Sequence, residues 1–325
     1  MKIILSGMRP TGDLHIGNYL GALKNWVDLQ NSDEYQCFFM IADLHAMSEQ
    51  FDPKRLKDRV KNLAIDFLSC GIDPKKSTIF IQSHIIEHPY LSWIFNTLIP
   101  IAELKRMHQF KEKEGQYTNI NAGLFTYPVL QAADILMYKA DTVPVGEDQV
   151  QHVELTRVIA KKFNHAFGET FPKPRALLTP TPRVMSLTEP TTKMSKSKGK
   201  KNYIALSDSK DVIRKKIMSA VTDTGGDENM SPGVENLFTL LQCFAHDALY
   251  NKFKKRFDEG NLHYQELKEN LAEHIIETLA PIQERRTHWE QNTDMLAEIL
   301  IDGTQKAHAI AQKTLVEVKE KTGLK

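Results

Sequence analysis

The N-terminal run Lys2-Ile3-Ile4-Leu5-Ser6-Gly7 is apolar and ends at a glycine, which reads as a buried strand closing in a turn. A helical pattern follows from about His15 to Gln30. The alternation then repeats. Cys37-Phe38-Phe39-Met40-Ile41-Ala42 is a second buried run, Pro53 to Cys70 a second helix, and Thr78-Ile79-Phe80-Ile81-Gln82 a third run. Pro53 suits a first helical turn and Gly71 a stop. Strands alternating with helices predict an α/β fold with a doubly wound parallel sheet. Such sheets bind ligands beyond the carboxyl ends of their strands, and the Ser6–Asn18 loop lies beyond one.

From about Pro100 to Asp141 the pattern turns helical, polar and then apolar, as an insertion (about 100–141) between two halves of the sheet. Val143-Pro144-Val145-Gly146 resumes a short strand, Asp148 to Phe167 is helical, and Pro172 to Pro190 reads as loop and short strand. After about Ala205 no buried strand is evident. Ser209–Ala220, Glu235–Ala248, Tyr264–Asn292 (broken at Pro281) and Thr293–Lys321 read as helices. Residues 1–205 and a separate all-helical unit, 206–325, are the expected domains.

Composition narrows the class. No apolar run reaches 18 residues, so no membrane span is expected, and residues 1–20 lack the layout of a secretory signal. Cys37, Cys70 and Cys243 are far apart and form no CxxC, which argues against zinc or an iron–sulfur cluster. A cytoplasmic protein is the expectation. Residues 206–325 hold 16 Lys/Arg against 20 Asp/Glu, so any RNA bound there would meet a local basic strip and not a broad field.

Two segments nearly 180 residues apart carry phosphate chemistry. In the first, Gly7 to Asn18, glycines allow close backbone approach, and a helix N-terminus offers unpaired N–H groups to an anion. His15 and Asn18 share one face of the first turn and can donate to phosphate oxygens; Gly17 leaves room for an adenosine. The same residues also read as an ordinary strand–helix turn with a histidine near the cap. In the second, five lysines fall within residues 193–201. Lys193 and Lys196 can serve as mobile point charges, with Ser195 and Ser197 as hydroxyl donors, or the segment is a solvated basic loop. A third constellation, Gly146-Glu147-Asp148-Gln149, opens a helix, where acids commonly do no more than cap.

Together these segments resemble the two ATP signatures of class I aminoacyl-tRNA synthetases, here as His15-Ile16-Gly17-Asn18 and Lys193-Met194-Ser195-Lys196-Ser197. From residue 3 to near its end the chain is similar to the bacterial-type tryptophanyl-tRNA synthetases. Ser6 to Gly12, Gly17 to Leu23, Ala132-Ala133-Asp134-Ile135-Leu136, Val143 to Gln149 and Met185-Ser186-Leu187 carry the likeness. The Ala-Ala-Asp-Ile-Leu and Val-Pro-Val-Gly-Glu-Asp-Gln stretches are the specific ones, shared with the tyrosine relative. The family often has Thr where this chain has His15, Gln at Arg9 and Met at Gln131. Relatives that hold an iron–sulfur cluster use a C-terminal CxxC, and this chain has only Cys243 there.

The resemblance implies a Rossmann-type ATP-binding catalytic domain and a helical anticodon-binding domain. It implies ATP contacts at Arg9, Pro10, Thr11, Gly17, Asn18, Gly146, Glu147, Asp148, Val184, Lys193, Met194, Ser195, Lys196 and Ser197. His15, Asn18, Lys193, Lys196 and Lys113 would assist the reaction. Asp134 would accept the indole N–H, with Tyr127, Gln131 and Gln149 around the rest of tryptophan. Asp134 is also conspicuous alone, since an acid in the apolar stretch Leu130 to Met137 is costly unless paired. The implied activity is tryptophan–tRNA ligation, with magnesium arriving on ATP and no metal site in the protein. A tyrosine-specific relative and a regulatory protein that binds tryptophan or RNA are the alternatives. A homodimer is implied as well, and the apolar run Leu91, Trp93, Ile94, Phe95, Leu98, Ile99, Ile101 is its expected surface.

Overall fold

A computed structural model describes residues 1–49, 51–108, 110, 121–178, 182–222 and 230–324. Its centre is a five-stranded sheet of β1 (Lys2–Met8), β2 (Tyr35–Ile41), β3 (Ser77–Ile81), β4 (Thr142–Val145) and β5 (Arg175–Leu178). The strands are parallel, in the order β3-β2-β1-β4-β5. The chain winds outward from β1 to β3, then returns to β4 on the other side. The switch point therefore lies between β1 and β4, where a crevice opens in sheets of this kind. Ile4↔Thr142 is the one ladder pair between them. Beyond it Pro144 has no N–H to donate, and Ser6 Oγ reaches the Pro144 carbonyl at 3.3 Å instead.

Alternate strand residues feed two cores. Ile4, Cys37, Phe39, Ile41, Ile79 and Ile81 face one, and Leu5, Phe38, Met40 and Phe80 face the other. Burial on both faces is why the strands read as continuous apolar runs. The first core takes helix α1 (Ile16–Asn18, a π-helical turn Tyr19–Leu23, then Lys24–Asn31) and α3 (Pro53–Ser69); between β2 and α3 lies the short α2 (Asp43–Ala46). The second core takes α4 (Glu87–Asn96), α5 (Ile101–Lys105), α6 (Ala122–Met137) and α7 (Val150–Phe167).

The C-terminal helices are α8 (Lys210–Met218), α9 (Pro232–Phe244), α10 (Asp247–Asp258), α11 (Tyr264–Gln291) and α12 (Thr293–Thr322). Ile213, Leu237, Leu271 and Ile275 join the first core; Ala307, Ala311 and Val318 of α12 join the second. α12 crosses the backbone of β3 at Gly303, where an added Cβ would lie 1.8 Å from the Ile79 carbonyl oxygen. α11 is clamped to α3 by the Arg286–Asp66 ion pair and by Arg285 Nε donating to the Ser69 carbonyl at 2.6 Å.

Three expectations need correction. α11 runs through Pro281 without a break, because Ile276, Leu279 and Ile282 are buried on both sides of it and packing outweighs one missing backbone bond. The helix expected over Glu235–Ala248 ends at Phe244, and α10 follows as a helix of its own. In the run assigned to a subunit surface, Leu91, Ile94, Phe95 and Ile99 lie in this chain's own core, while Trp93 and Ile101 are exposed.

Candidate active site

Beyond the carboxyl ends of β1 and β4 lies a cavity of about 410 Å³. Gly7, Met8 and Arg9 line it from β1 and its loop, Val145, Gly146, Asp148 and Gln149 from β4, and Tyr127, Gln131 and Asp134 from α6. The π-turn in α1 adds Gly21 and Ala22. A π-turn widens the helix locally, a device common at functional sites.

Asp134 forms one wall and is 1% exposed. Its pairing, expected from burial, is with three side chains. His45 Nε2 lies 2.7 Å from Oδ2, Gln82 Nε2 donates to both oxygens at 2.9 Å, and His88 Nδ1 contacts Oδ1. Gln82 cannot turn, since its Oε1 accepts from the backbone N–H groups of Leu44 and His45. Burial would raise the pKa of Asp134, but His88 and His45 outweigh it and hold the carboxyl well below the usual carboxylate range. Together they make four contacts to the carboxylate, two on each oxygen. Of the three, His45 alone lines the cavity.

Tyr127 lies two turns earlier on the same helix and also lines the cavity. Burial pushes its phenol up to about 12, and the hydroxyl contacts His152 Nε2 at 2.8 Å. Gln149 donates to Asp148 at 2.9 Å. Arg9, at the cavity mouth, pairs with Glu49 at 2.9 Å.

The two signature segments meet outside this cavity. Ile16 N–H donates to the Ile204 carbonyl at 3.0 Å, and Leu206 N–H to that of Leu14 at 2.9 Å, so the exit of the lysine loop pairs with the entry to α1. The Val184–Met194 hairpin, closed by Met194 N–H to the Val184 carbonyl at 3.1 Å, presents Lys193. Lys196 Nζ reaches the Gly12 carbonyl at 3.2 Å and Thr11 Oγ1 at 3.4 Å. Lys198 instead pairs with Glu189.

His15 is the N-cap of α1. Its Nδ1 accepts from Gly17 N–H at 3.1 Å, and Asn18 Oδ1 accepts from the His15 N–H at 3.1 Å, a reciprocal capping box. Burial, with Lys196 and Lys193 nearby, lowers the imidazole to about 4. The ring is therefore neutral at physiological pH. With Nδ1 accepting, the proton sits on Nε2, and His15 can donate to an anion without bearing charge. Asn18 retains its amide N–H groups for the same purpose.

The structure thus divides the expected residues. Arg9, Gly146, Asp148, Tyr127, Gln131, Asp134 and Gln149 line the cavity; His15, Asn18, Val184, Lys193, Met194 and Lys196 gather beside it along the joined loops. Lys113 lies outside the described residues. Sequence reasoning missed His45, Gln82 and His88. The first two follow the carboxyl ends of β2 and β3, a position that could have flagged them. His88, one residue into a helix, carried no signal. Among the described residues no group of three or more His, Cys, Asp or Glu side chains is arranged to hold a metal ion.

The profile of class I tRNA synthetases (W and Y) matches residues 1–280. The tryptophan–tRNA ligase of Caldanaerobacter subterraneus subsp. tengcongensis is 46% identical over 333 residues, spanning 100% of this chain and 99% of its own. That of Wolinella succinogenes is 46% identical over 332 residues, 99% of each chain. Among solved structures, tryptophanyl-tRNA synthetase from Campylobacter jejuni complexed with ADP and tryptophan superposes with a TM-score of 0.86 at 37% identity over 99% of both chains. The Mycoplasma pneumoniae enzyme does so with a TM-score of 0.87 at 34% identity, over 100% of this chain and 98% of its own.

Proposed function

The chain belongs to the class I tRNA synthetases of the tryptophan and tyrosine group, and from that premise we propose how its site divides the work. Its activity is ATP-driven ligation of tryptophan to tRNA. Full-length relatives at 46% identity with that activity displace the tyrosine-specific and purely regulatory alternatives.

Tryptophan occupies the cavity, its indole N–H directed at the Asp134 carboxylate. Tyr127 and Gln149 hold its amino and carboxyl ends, with Gln131 beside them. ATP lies along the joined loops. Gly146, Glu147 and Asp148 face the ribose, Val184 and Met194 pack on the base over Gly17, and Arg9, Pro10 and Thr11 flank the phosphates. The Campylobacter jejuni relative was crystallised with ADP and tryptophan, which supports an amino-acid cavity beside a nucleotide loop.

In the first step a tryptophan carboxylate oxygen bonds to the α-phosphorus and the bond to the bridging oxygen breaks, releasing pyrophosphate. His15 Nε2–H and the Asn18 amide donate to phosphate oxygens. Lys193, Lys196 and, from outside the described residues, Lys113 offset charge as it develops on the leaving group. Ser195 adds a hydroxyl donor, as does, from outside the described side chains, Ser197. Magnesium comes with ATP, as part of the substrate. In the second step a ribose hydroxyl of the tRNA's terminal adenosine attacks the acyl carbon and AMP leaves. Positioning, not a covalent nucleophile, carries both steps.

Residues 1–205 are the catalytic domain and residues 206–325 the helical unit that reads the anticodon, in a cytoplasmic homodimer. Ile86, Tyr90 and Trp93 stand on one face of α4 and its entry, 73%, 40% and 73% exposed, an apolar patch suited to a second copy.

The observation that carries the reading is an ionised, buried carboxylate, held by three side chains, in the wall of the switch-point cavity. The test is tRNA charging with tryptophan, tyrosine and phenylalanine in parallel. The expected result is charging with tryptophan favoured by about 10³ or more. Comparable charging with tyrosine would overturn the reading.

A further inference from the structure

We infer that His88, fixed in turn by Tyr138, is a positioning residue for tryptophan selection, aiming the Asp134 carboxylate into the cavity. This rests on the reading that Asp134 accepts the indole N–H. His88 is 0% exposed and lies behind Asp134, away from the cavity, so it touches no substrate. Both of its nitrogens are engaged, Nδ1 with Asp134 Oδ1 and Nε2 with the Tyr138 hydroxyl at 2.8 Å.

The direction of these bonds follows from Asp134 and Tyr138. Asp134 is a carboxylate and can only accept, so Nδ1 of His88 carries the ring proton and points it at Asp134. Tyr138 too is 0% exposed, and burial, with Asp134 and Glu87 nearby, raises its phenol well above its ordinary value. The hydroxyl keeps its proton, and with the ring neutral it donates to Nε2. Phe38 stacks on Tyr138 at 5.1 Å, and Phe80 packs on Tyr138 at 5.4 Å and on His88 at 6.1 Å, so neither ring can turn. Tyr138, His88 and Asp134 form a one-way chain in which each donor polarises the next. The terminal torsion of an aspartate is soft. Without His88, Oδ1 keeps only the Gln82 amide that it shares with Oδ2, and the carboxylate is freer to rotate away from the ring N–H.

The test compares tryptophan with the isostere in which sulfur replaces the ring N–H, in ATP–pyrophosphate exchange. The ratio of the two kcat/KM values isolates the acceptor, and a general loss of structure leaves it unmoved. The wild-type ratio should be about 10³ or more. His88→Asn places an amide N–H where Nδ1 stood and should keep the ratio within about threefold, whereas His88→Gln and His88→Leu should lower it about tenfold or more through tryptophan alone. Tyr138→Phe should fall between. Equal ratios for His88→Asn and His88→Gln would overturn the inference, and this polar pair decides it even if His88→Leu does not fold. A discriminating wild type with unmoved variants sinks the role of His88 alone. A wild type that treats both substrates alike sinks the reading of Asp134, and this inference with it.

Discussion

His15 offers a quantitative test of how the first signature loop is built. It is 7% exposed, its Nδ1 accepts from Gly17 N–H, and Lys196 and Lys193 lie close enough to oppose a second positive charge. Burial and these lysines lower its pKa from 6.5 to about 4. Between those values the unfolded chain binds a proton that the folded chain refuses. Stability therefore falls as pH drops through 6.5 toward 4, and the contribution is intact above 6.5. The gap from 6.5 to about 4, at 1.36 kcal/mol per unit, comes to about 3 kcal/mol. Protonation also ends the cap, because Nδ1–H cannot accept from Gly17. His15→Asn keeps a good capping side chain and does not titrate. Urea unfolding of both proteins from pH 7 to pH 4.5 should show the wild type losing about 2–3 kcal/mol more than the variant, with other groups cancelling in the difference. Parallel curves, or an NMR titration of the His15 Cε1 proton with a midpoint near 6.5, would refute the reasoning.

Other consequences are as specific. Lys196→Ala should lower kcat for adenylate formation by about 10² or more with a smaller change in the KM for ATP, while Lys198→Ala, removed from a surface pair, stays within about twofold; rapid-quench single turnovers would separate them. Gly303→Ala drives a Cβ into the rigid backbone of β3 and should cost about 3 kcal/mol or more in urea unfolding, and an unchanged midpoint would mean that α12 does not seat there. Trp93→Asp should dissociate the proposed homodimer in sedimentation at sub-micromolar concentration with loss of tRNA charging; a fully active monomer would remove the dimer from the account.

The sheet was legible because both of its faces are buried, which leaves runs such as Phe38 to Ile41 with no polar interruption. Asp134 was legible for a related reason, as an acid in an apolar helix demands partners. The partners themselves were not. His45, Gln82 and His88 come from three other elements, and only the fold brings them within hydrogen-bond reach. The run Leu91 to Ile101 shows the limit of counting apolar residues. Phe95 and Ile99 look no different in sequence from Trp93, yet the helix turns Phe95 into the core and Trp93 out, and the segment after it buries Ile99. Pro281 looked like a stop because local propensity was weighed without the packing of Leu279 and Ile282.

The most direct test of the central claim is the selectivity of ATP–pyrophosphate exchange, measured as kcat/KM for tryptophan over phenylalanine in the wild type and in Asp134→Ala. With a buried acceptor matched to the ring N–H, the wild-type ratio should be about 10⁴ or more and should fall by about 10² or more in the variant. A variant that retains both the wild-type ratio and the wild-type efficiency with tryptophan would contradict the account.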